Sequence, residues 1–331
     1  MTTSPTTSHP TGSFETKFSY ATISLPTLSP LEAIDALASA KFAGVEWRVG
    51  NALHDTMSST APTFLSNNRC TLFPGSTDPS VIAAACREAG LHIVGIGPYL
   101  DVNDSDQLLR TMEFAAELGA PQMRLQAPRV TTPLDYGELA DATRKFLTSA
   151  EALSARLGVR TVLELHHNTI ASSASLALRL IEHCDPEHVG VIYDVGNLVW
   201  EGYENRPLAL QLLGDRLAHI HLKNVSAAPG RGGDPWEYRW SPLDEGFVDV
   251  RALLRDLADV GYAGWISLED LSTKRSPEAT IQFNARHLEN VLEEWTPNSW
   301  GVACGGPFAQ PGMPFGDVAD QPTCSLSSTT S

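Results

Sequence analysis

Apolar and polar positions follow a repeating two-part pattern from residue 18 to residue 295. One part is a short apolar run rich in β-branched residues. These runs are FSYATIS (18–24), GVEWRV (44–49), HIVGIGPYL (92–100), QMRLQA (122–127), TVLELHHN (161–168), VGVIYDVGN (189–197), LAHIHLKN (217–224) and GWISLED (264–270). Each has the length and composition of a buried strand. The other part predicts helices over 31–42, 79–89, 105–118, 134–157, 173–183, 205–214, 248–260 and 277–295. Ser29-Pro30, Asp78-Pro79 and the stretch Asn103 to Ser105 supply helix starts, because a polar side chain there can accept from the open backbone N–H groups of the first turn. Gly90, Gly119, Gly158 and Gly261 supply stops.

Eight strand–helix units in a row predict a parallel sheet covered by helices, and eight strands can close on themselves. The predicted fold is an α/β, (β/α)8 TIM barrel forming a single domain over residues 17–296. An open doubly wound sheet is the alternative, disfavoured because no G-x-G-x-x-G follows the first strand. Residues 1–16, rich in Ser, Thr and Pro, are predicted to be disordered, and the Gly/Pro/Ser-rich residues 297–331 to form a flexible tail. Two connections exceed the usual two to six residues. One, about 50–78, carries His54, Asn67, Asn68, Arg69 and Cys70; the other, about 225–247, carries Arg231, Trp236, Tyr238 and Trp240. Both fall on the C-terminal face of a barrel, where long loops form lids and substrate walls.

Four of the apolar runs end in a polar residue: Glu164, Asp194, His221 and Glu269. Strand side chains alternate, so Val162, Glu164 and His166 share a face, as do His219, His221 and Lys223, and Ser267 and Glu269. In a closed barrel these faces point into the mouth, where bare carboxylates are costly to bury. A divalent cation removes that cost, and two Glu, one Asp and one His suit octahedral Mn²⁺ first, with Mg²⁺ or Co²⁺ as alternatives. Ion pairs with Lys223 and Arg124 could satisfy any one acid; four acids or imidazoles closing four successive strands favour the metal.

His166 is a candidate general base or hydrogen-bond donor to substrate, with a packed histidine as the bland alternative. His167, facing the other way, is read as structural, and His219, deeper in the barrel, as a supporting or layer-filling group. Lys223 can neutralise a developing oxyanion. Glu46, Arg124, Arg231 and Trp236 are the candidate substrate contacts. Glu46 could instead simply pair with Arg48, and Trp236 and Trp240 could stack on a sugar ring or pack a lid.

Charge and cysteine content narrow the surroundings. The 331-residue chain carries a formal net charge of −16, with a sequence pI of about 5.0. That argues against nucleic acid and anionic membrane surfaces as partners. No apolar run reaches the roughly 18 residues needed to span a bilayer. The first residues, MTTSPTTSHPTGSF, have neither the basic nor the apolar region of a secretory signal. Cys70, Cys86, Cys184, Cys304 and Cys324 form an odd, scattered set without C-x-x-C, which suits the cytoplasm better than a disulfide framework.

The order E-x-H, YDVGN, H-x-H-x-K-N and a last strand ending in L-E resembles the xylose isomerase-like sugar isomerase/epimerase superfamily. SPLDEGFVDV (241–250) is similar to that family's P-L-G-E-G-x-V-D stretch, and the first two strands also resemble it. The resemblance spans roughly residues 16–295. It implies one divalent metal on Glu164, Asp194, His221 and Glu269, with Glu164 and Glu269 also moving protons on opposite sides of a carbohydrate or glycoside substrate. The implied reaction removes the proton α to a carbonyl through a metal-stabilised enediolate, giving isomerisation or epimerisation. Three departures matter. Asn197 stands where the superfamily's apurinic endonuclease branch has the histidine of D-x-x-H, which argues against a multi-metal DNA-repair site. Asp244 stands where glycine is usual. The 50–78 insertion exceeds a minimal ketose epimerase, and with the Glu164/His166 pair it leaves open a carbon–carbon lyase: the catalytic α subunit of a C-glycoside deglycosidase, acting on a 3-oxo-C-glycoside beside a small β subunit. The assembly expected is a homo-oligomer, or that hetero-oligomer. A non-catalytic sugar-binding barrel is the remaining alternative.

Overall fold

The structure, a computed structural model, describes residues 17–50, 61–100, 102, 104–130, 133, 135–202, 204–230, 232 and 236–294. The predicted segments 1–16 and 297–331, and the candidate residues His54 and Arg231, lie outside the described residues. The chain divides into two units, 1–289 and 290–331, and of the second only 290–294 are described.

Eight parallel strands form the barrel: β1 (Lys17–Ala21), β2 (Gly44–Val49), β4 (His92–Pro98), β5 (Gln122–Gln126), β6 (Arg160–Glu164), β7 (Val189–Asp194), β8 (Leu217–Leu222) and β11 (Trp265–Leu268). They pair in chain order, and β1 closes the ring by pairing with both β2 and β11. A two-residue strand, β3 (Thr71–Leu72), adds to β2 at Arg48 and Val49. The helices are α1 (Pro30–Ser39), α2 (Pro79–Glu88), α3 (Ser105–Leu118), α4 (Tyr136–Leu157), α5 (Ala174–Ile181), α6 (Asn197–Glu201), α7 (Arg206–Leu213), α8 (Val250–Asp259) and α9 (Pro277–Glu293). None among the described residues is long and apolar enough to cross a membrane.

The outward faces of the strands make the core with the helices. Trp47, Leu125, Leu163, Val191, Ile220, Leu222, Ile266 and Leu268 have essentially no exposure. On α3, Leu108, Met112, Ala115 and Leu118 recur at helical spacing and are equally buried. Each such large aliphatic side chain stabilises the fold by about 1.5–3 kcal/mol relative to exposure. The helix ends obey the local chemistry. Ser29 and Glu32 form a reciprocal capping box, and Asp78, Asp104 and Asp135 each accept a first-turn N–H. Gly119 and Gly158 close α3 and α4 in the left-handed conformation, at φ 78° and 71°.

Three local features differ from the sequence expectation. The first strand stops at Ala21, and Thr22–Ser24 turn as a 3-10 helix. The strand ending at Glu164 leaves 165–168 outside the sheet. The 225–247 connection contains an antiparallel hairpin, β9 (Asn224–Ala228) with β10 (Glu237–Ser241). It stands on the C-terminal end of β8 and brings two aromatic residues of β10 toward the mouth.

Candidate metal centre

The C-terminal ends of β6, β7, β8 and β11 bring Glu164, Asp194, His221 and Glu269 together. One ligand atom from each lies within 4.8 Å of all the others, and all four residues are buried. Each is fixed by a different element. Glu164 is the last residue of β6; its Oε2 accepts from Arg124 at 3.0 Å and its Oε1 lies 3.2 Å from His221 Nδ1. Asp194 ends β7, and its Oδ1 accepts the backbone N–H groups of Gly196 (3.1 Å) and Asn197 (2.9 Å), an Asx-type turn into α6. Its Oδ2 accepts from Asn197 Nδ2 at 2.8 Å and from Lys223 Nζ at 2.8 Å. Glu269 follows β11 directly, its backbone N–H donating to Leu222 O, and its carboxylate pairs with Lys223. A Cβ at Gly196 would collide with the Lys223 side chain, so a glycine there lets the turn pack on the lysine stem.

His221 faces the quartet with one nitrogen and the barrel interior with the other. Its Nε2 lies 3.1 and 3.2 Å from the two oxygens of Glu46 on β2. His219, one step deeper, places Nε2 3.1 Å from Glu46 Oε2. Burial alone would lower the His221 pKa, but Glu46, with the hydrogen bonds to Asp194 and Glu164, pushes it well above the ordinary value. For His219 burial wins, and its pKa is lowered. Burial works against ionising Glu164 and Glu46 too. Arg124, with His221 and His166, nevertheless holds Glu164 well below the usual carboxylate range, and the two imidazoles do the same for Glu46. Lys223 likewise stays charged despite its burial, its pKa raised by Asp194, Glu269 and Glu164.

Both ion pairs expected as the alternative to a metal are therefore present, yet they do not balance the site. Four buried carboxylates, Glu46, Glu164, Asp194 and Glu269, face two buried cations, Arg124 and Lys223. Even with His221 protonated one negative charge remains, and two remain once His221 gives up a proton to serve as a ligand. A buried excess of that size is expensive, and one divalent cation on a three-carboxylate, one-imidazole donor set cancels it. The residues present fit such an ion.

The remaining candidates are placed as follows. Arg124 spans Glu164 and Pro98 O (2.8 Å) and lies 4.5 Å from the Tyr99 ring centroid. Glu46 holds the two imidazoles. Arg48 donates to Thr71 Oγ1 at 2.6 Å. Trp236 is 63% exposed, whereas Trp240 of β10 lies under Lys223 Nζ, 4.8 Å from ring centroid to nitrogen. A narrow crevice opens beside Glu46, Arg48, Arg124, His221 and Glu269, with Ala21 and Ile23 on its apolar side.

His166 and His167 do not take opposite faces. Past the end of β6 the alternation no longer applies, and the rings stack at 4.4 Å. His166 Nδ1 lies 2.8 Å from His167 O, so it donates and leaves Nε2 as the ring's proton acceptor. His167 was read as structural, away from the site; it is instead joined to it. Asn197 Nδ2 donates to Asp194, so Asn197 Oδ1 must accept from His167 Nδ1 at 2.9 Å. His167 also stacks on Trp200 at 4.9 Å and meets Trp240 at 6.0 Å. Asn197 was legible only as a missing histidine; its position three residues after Asp194, at a helix start, is the signal that places it on that carboxylate.

The comparisons agree with the fold. Residues 34–291, more than half of the chain, match the family model described as xylose isomerase-like TIM barrel. An inosose dehydratase of Geobacillus kaustophilus is 28% identical over 147 residues, covering 42% of this chain and 46% of that protein. The chain thus spans about half the length of the curated relatives it matches. Among solved structures, the 3-keto-D-glucoside 4-epimerase YcjR of E. coli superposes with TM-score 0.61 at 19% identity, over 84% of this chain and all of that one. The IOLI protein with a binding zinc atom gives TM-score 0.65 at 14% identity, over 85% of this chain and 99% of that one. At these identities the structural likeness speaks for the fold alone, and with the family match it places the protein: the chain belongs to the xylose isomerase-like TIM-barrel family.

Proposed function

We propose that the protein is a divalent-metal-dependent enzyme that removes the proton α to the carbonyl of a carbohydrate or keto-polyol, returning it to give an isomer or epimer. The observation that carries the reading is the buried quartet of three carboxylates and one imidazole at the barrel mouth, whose negative charge Arg124 and Lys223 do not fully balance. A bound divalent ion, Mn²⁺ in our reading and Mg²⁺ or Co²⁺ as alternatives, supplies Lewis acidity toward substrate oxygens. The chain supplies the proton chemistry. Glu164 and Glu269 come from strands on different sides of the quartet and can serve opposite faces of a substrate carbon. His166, its Nδ1 committed to His167 O, offers Nε2 as a proton acceptor. Lys223, held between Asp194 and Glu269, sits where an ammonium neutralises charge developing on a substrate oxygen.

A second reading, supported by the similarity to inosose dehydratase, is elimination. It shares the first step. The electron pair left by the α-proton then forms a carbon–carbon double bond while the β carbon–oxygen bond breaks, and the hydroxyl leaves as water with a proton from the site.

The test uses chelator-stripped protein reloaded with Mn²⁺, in D₂O, with ketoses, keto-inositols and a 3-oxo-C-glycoside followed by proton NMR. Deuterium entry at the α carbon with epimer formation supports the first reading, and an unsaturated product from a keto-inositol supports the second. Release of aglycone from the glycoside would identify a deglycosidase. Full turnover in protein shown by elemental analysis to be metal-free would overturn the metal-dependent reading.

A further inference from the structure

The quartet uses three carboxylates and one imidazole but leaves the fourth buried carboxylate of the mouth unused. Glu46 lies on β2, across the barrel from β8, and is 4% exposed. Both its oxygens point at imidazoles: His221 Nε2 lies 3.1 and 3.2 Å away, and His219 Nε2 3.1 Å. A carboxylate only accepts, so each of these nitrogens carries a proton. A neutral imidazole has one N–H. In the metal-free protein Nδ1 also faces carboxylate oxygens, Glu164 Oε1 at 3.2 Å and Asp194 Oδ2 at 3.6 Å, and by the same rule is protonated; an ion among those oxygens would take the place of that proton, and the one N–H that a neutral His221 then keeps is the one on Glu46. His219 obeys the same logic: with its proton on Nε2, its Nδ1 is a bare acceptor, and that atom is buried without a hydrogen-bond partner.

We propose that Glu46 is the positioning residue of the metal centre, fixing His221 in the Nε2–H tautomer and in ring orientation so that Nδ1 is presented as a ligand, with His219 anchoring Glu46 from below. This rests on the reading of Glu164, Asp194, His221 and Glu269 as a divalent-metal site. It assigns Glu46 a task other than touching substrate. Carboxylate partners of ligating histidines commonly tune metal affinity by about 10–100-fold. A competing use of the same atoms exists, since Glu46, His219 and His221 also present three donors within 4.8 Å of one another. An ion there would need the Nε2 lone pair of His221, and so the opposite tautomer or the loss of both protons.

Calorimetric titration of Mn²⁺ into the chelator-stripped full chain separates these cases, with Glu46→Gln and Glu46→Asp beside the parent and circular dichroism confirming that each variant is folded. The expected result is one ion per parent chain, a Kd raised about 10–100-fold in Glu46→Gln, and a smaller loss in Glu46→Asp, which keeps the charge but shortens the reach. Nitrogen-15 NMR of histidine-labelled parent loaded with Zn²⁺ should show His221 protonated at Nε2, and this arm stands even if the variants do not fold. A Glu46→Gln Kd within about twofold of a parent that binds Mn²⁺ overturns the inference alone. So does an Nδ1-protonated His221, or a second ion that disappears in Glu46→Gln. A parent that binds no Mn²⁺ overturns the metal-site reading, and the inference with it.

Discussion

Replacing Lys223 by methionine tests the charge balance of the mouth directly. Lys223 is 3% exposed; its ammonium lies 2.8 Å from Asp194 Oδ2, pairs with Glu269, and rests on the Trp240 ring. Methionine approximates the aliphatic stem that packs against Gly196, so the cavity term is small and the lost quantity is mainly charge. Breaking a buried ion pair from one side costs about 3–5 kcal/mol, because the partner remains buried and uncompensated. Here two carboxylates lose their cation, so the upper part of that range is expected in metal-free protein. Against a total stability of about 5–15 kcal/mol, that is a severe loss. Urea unfolding at pH 7 in EDTA, followed by circular dichroism, should show the midpoint fall with little change in slope. Lys223→Met/Glu269→Gln should recover a substantial part of the loss, because one of the two orphaned charges is gone. Mn²⁺ should narrow the gap between Lys223→Met and the parent. A metal-free Lys223→Met within about 1 kcal/mol of the parent would refute the reasoning, since an ammonium that can be deleted so cheaply is not balancing buried acids.

Asn197→Ala removes a donor to Asp194 and Leu165 O and the acceptor for His167. It should cost about 1–3 kcal/mol of stability and weaken Mn²⁺ binding by about 10–100-fold; an unchanged Kd by calorimetry would show that Asp194 is oriented without it. Acid should act through Glu46 and Glu164, whose pKa values are held low by His219 and His221 and by Arg124. A depressed carboxylate adds stability above its unfolded value of about 4.3 and loses it as pH falls through the folded value. The urea-midpoint gap between metal-free parent and Glu46→Gln should therefore narrow below about pH 4.3, and parallel curves down to pH 3 would contradict it.

What could be read from the chain alone follows the range of each interaction. The barrel was legible because its signals are local. Apolar β-branched runs, a polar residue before each helix and a glycine after several of them are all short-range features, and strand and helix positions follow them closely. The quartet was legible because a charged residue at the end of an apolar strand is anomalous on its own, and four such endings in order leave few explanations. The hairpin of β9 and β10 was half legible. EYRWS alternates aromatic and polar residues, but its partner NVSAA is made of small ones, and eight intervening residues hide the turn. The same strand explains why Trp240 rather than Trp236 reaches the site: Tyr238 and Trp240 share the face toward Trp200, while Trp236 precedes the strand.

The part that was not legible is tertiary. Glu46 meets His219 and His221 from 173 and 175 residues away, and the β2 sequence GVEWRV offers Arg48 as an equally good partner until the barrel closes. The stack of His166 on His167 likewise depends on where β6 ends, because alternation assigns faces only while the backbone stays in the sheet. The barrel mouth therefore combines two kinds of information. Strand-end residues, which the sequence exposes one at a time, provide the donors. Contacts across the lumen decide which nitrogen of His221 faces them and how many charges remain to be cancelled. The second kind adds one buried acid, Glu46, and one buried ammonium, Lys223, to the strand-end cluster, so that the lumen contacts reorganise its charges without removing the excess of negative charge.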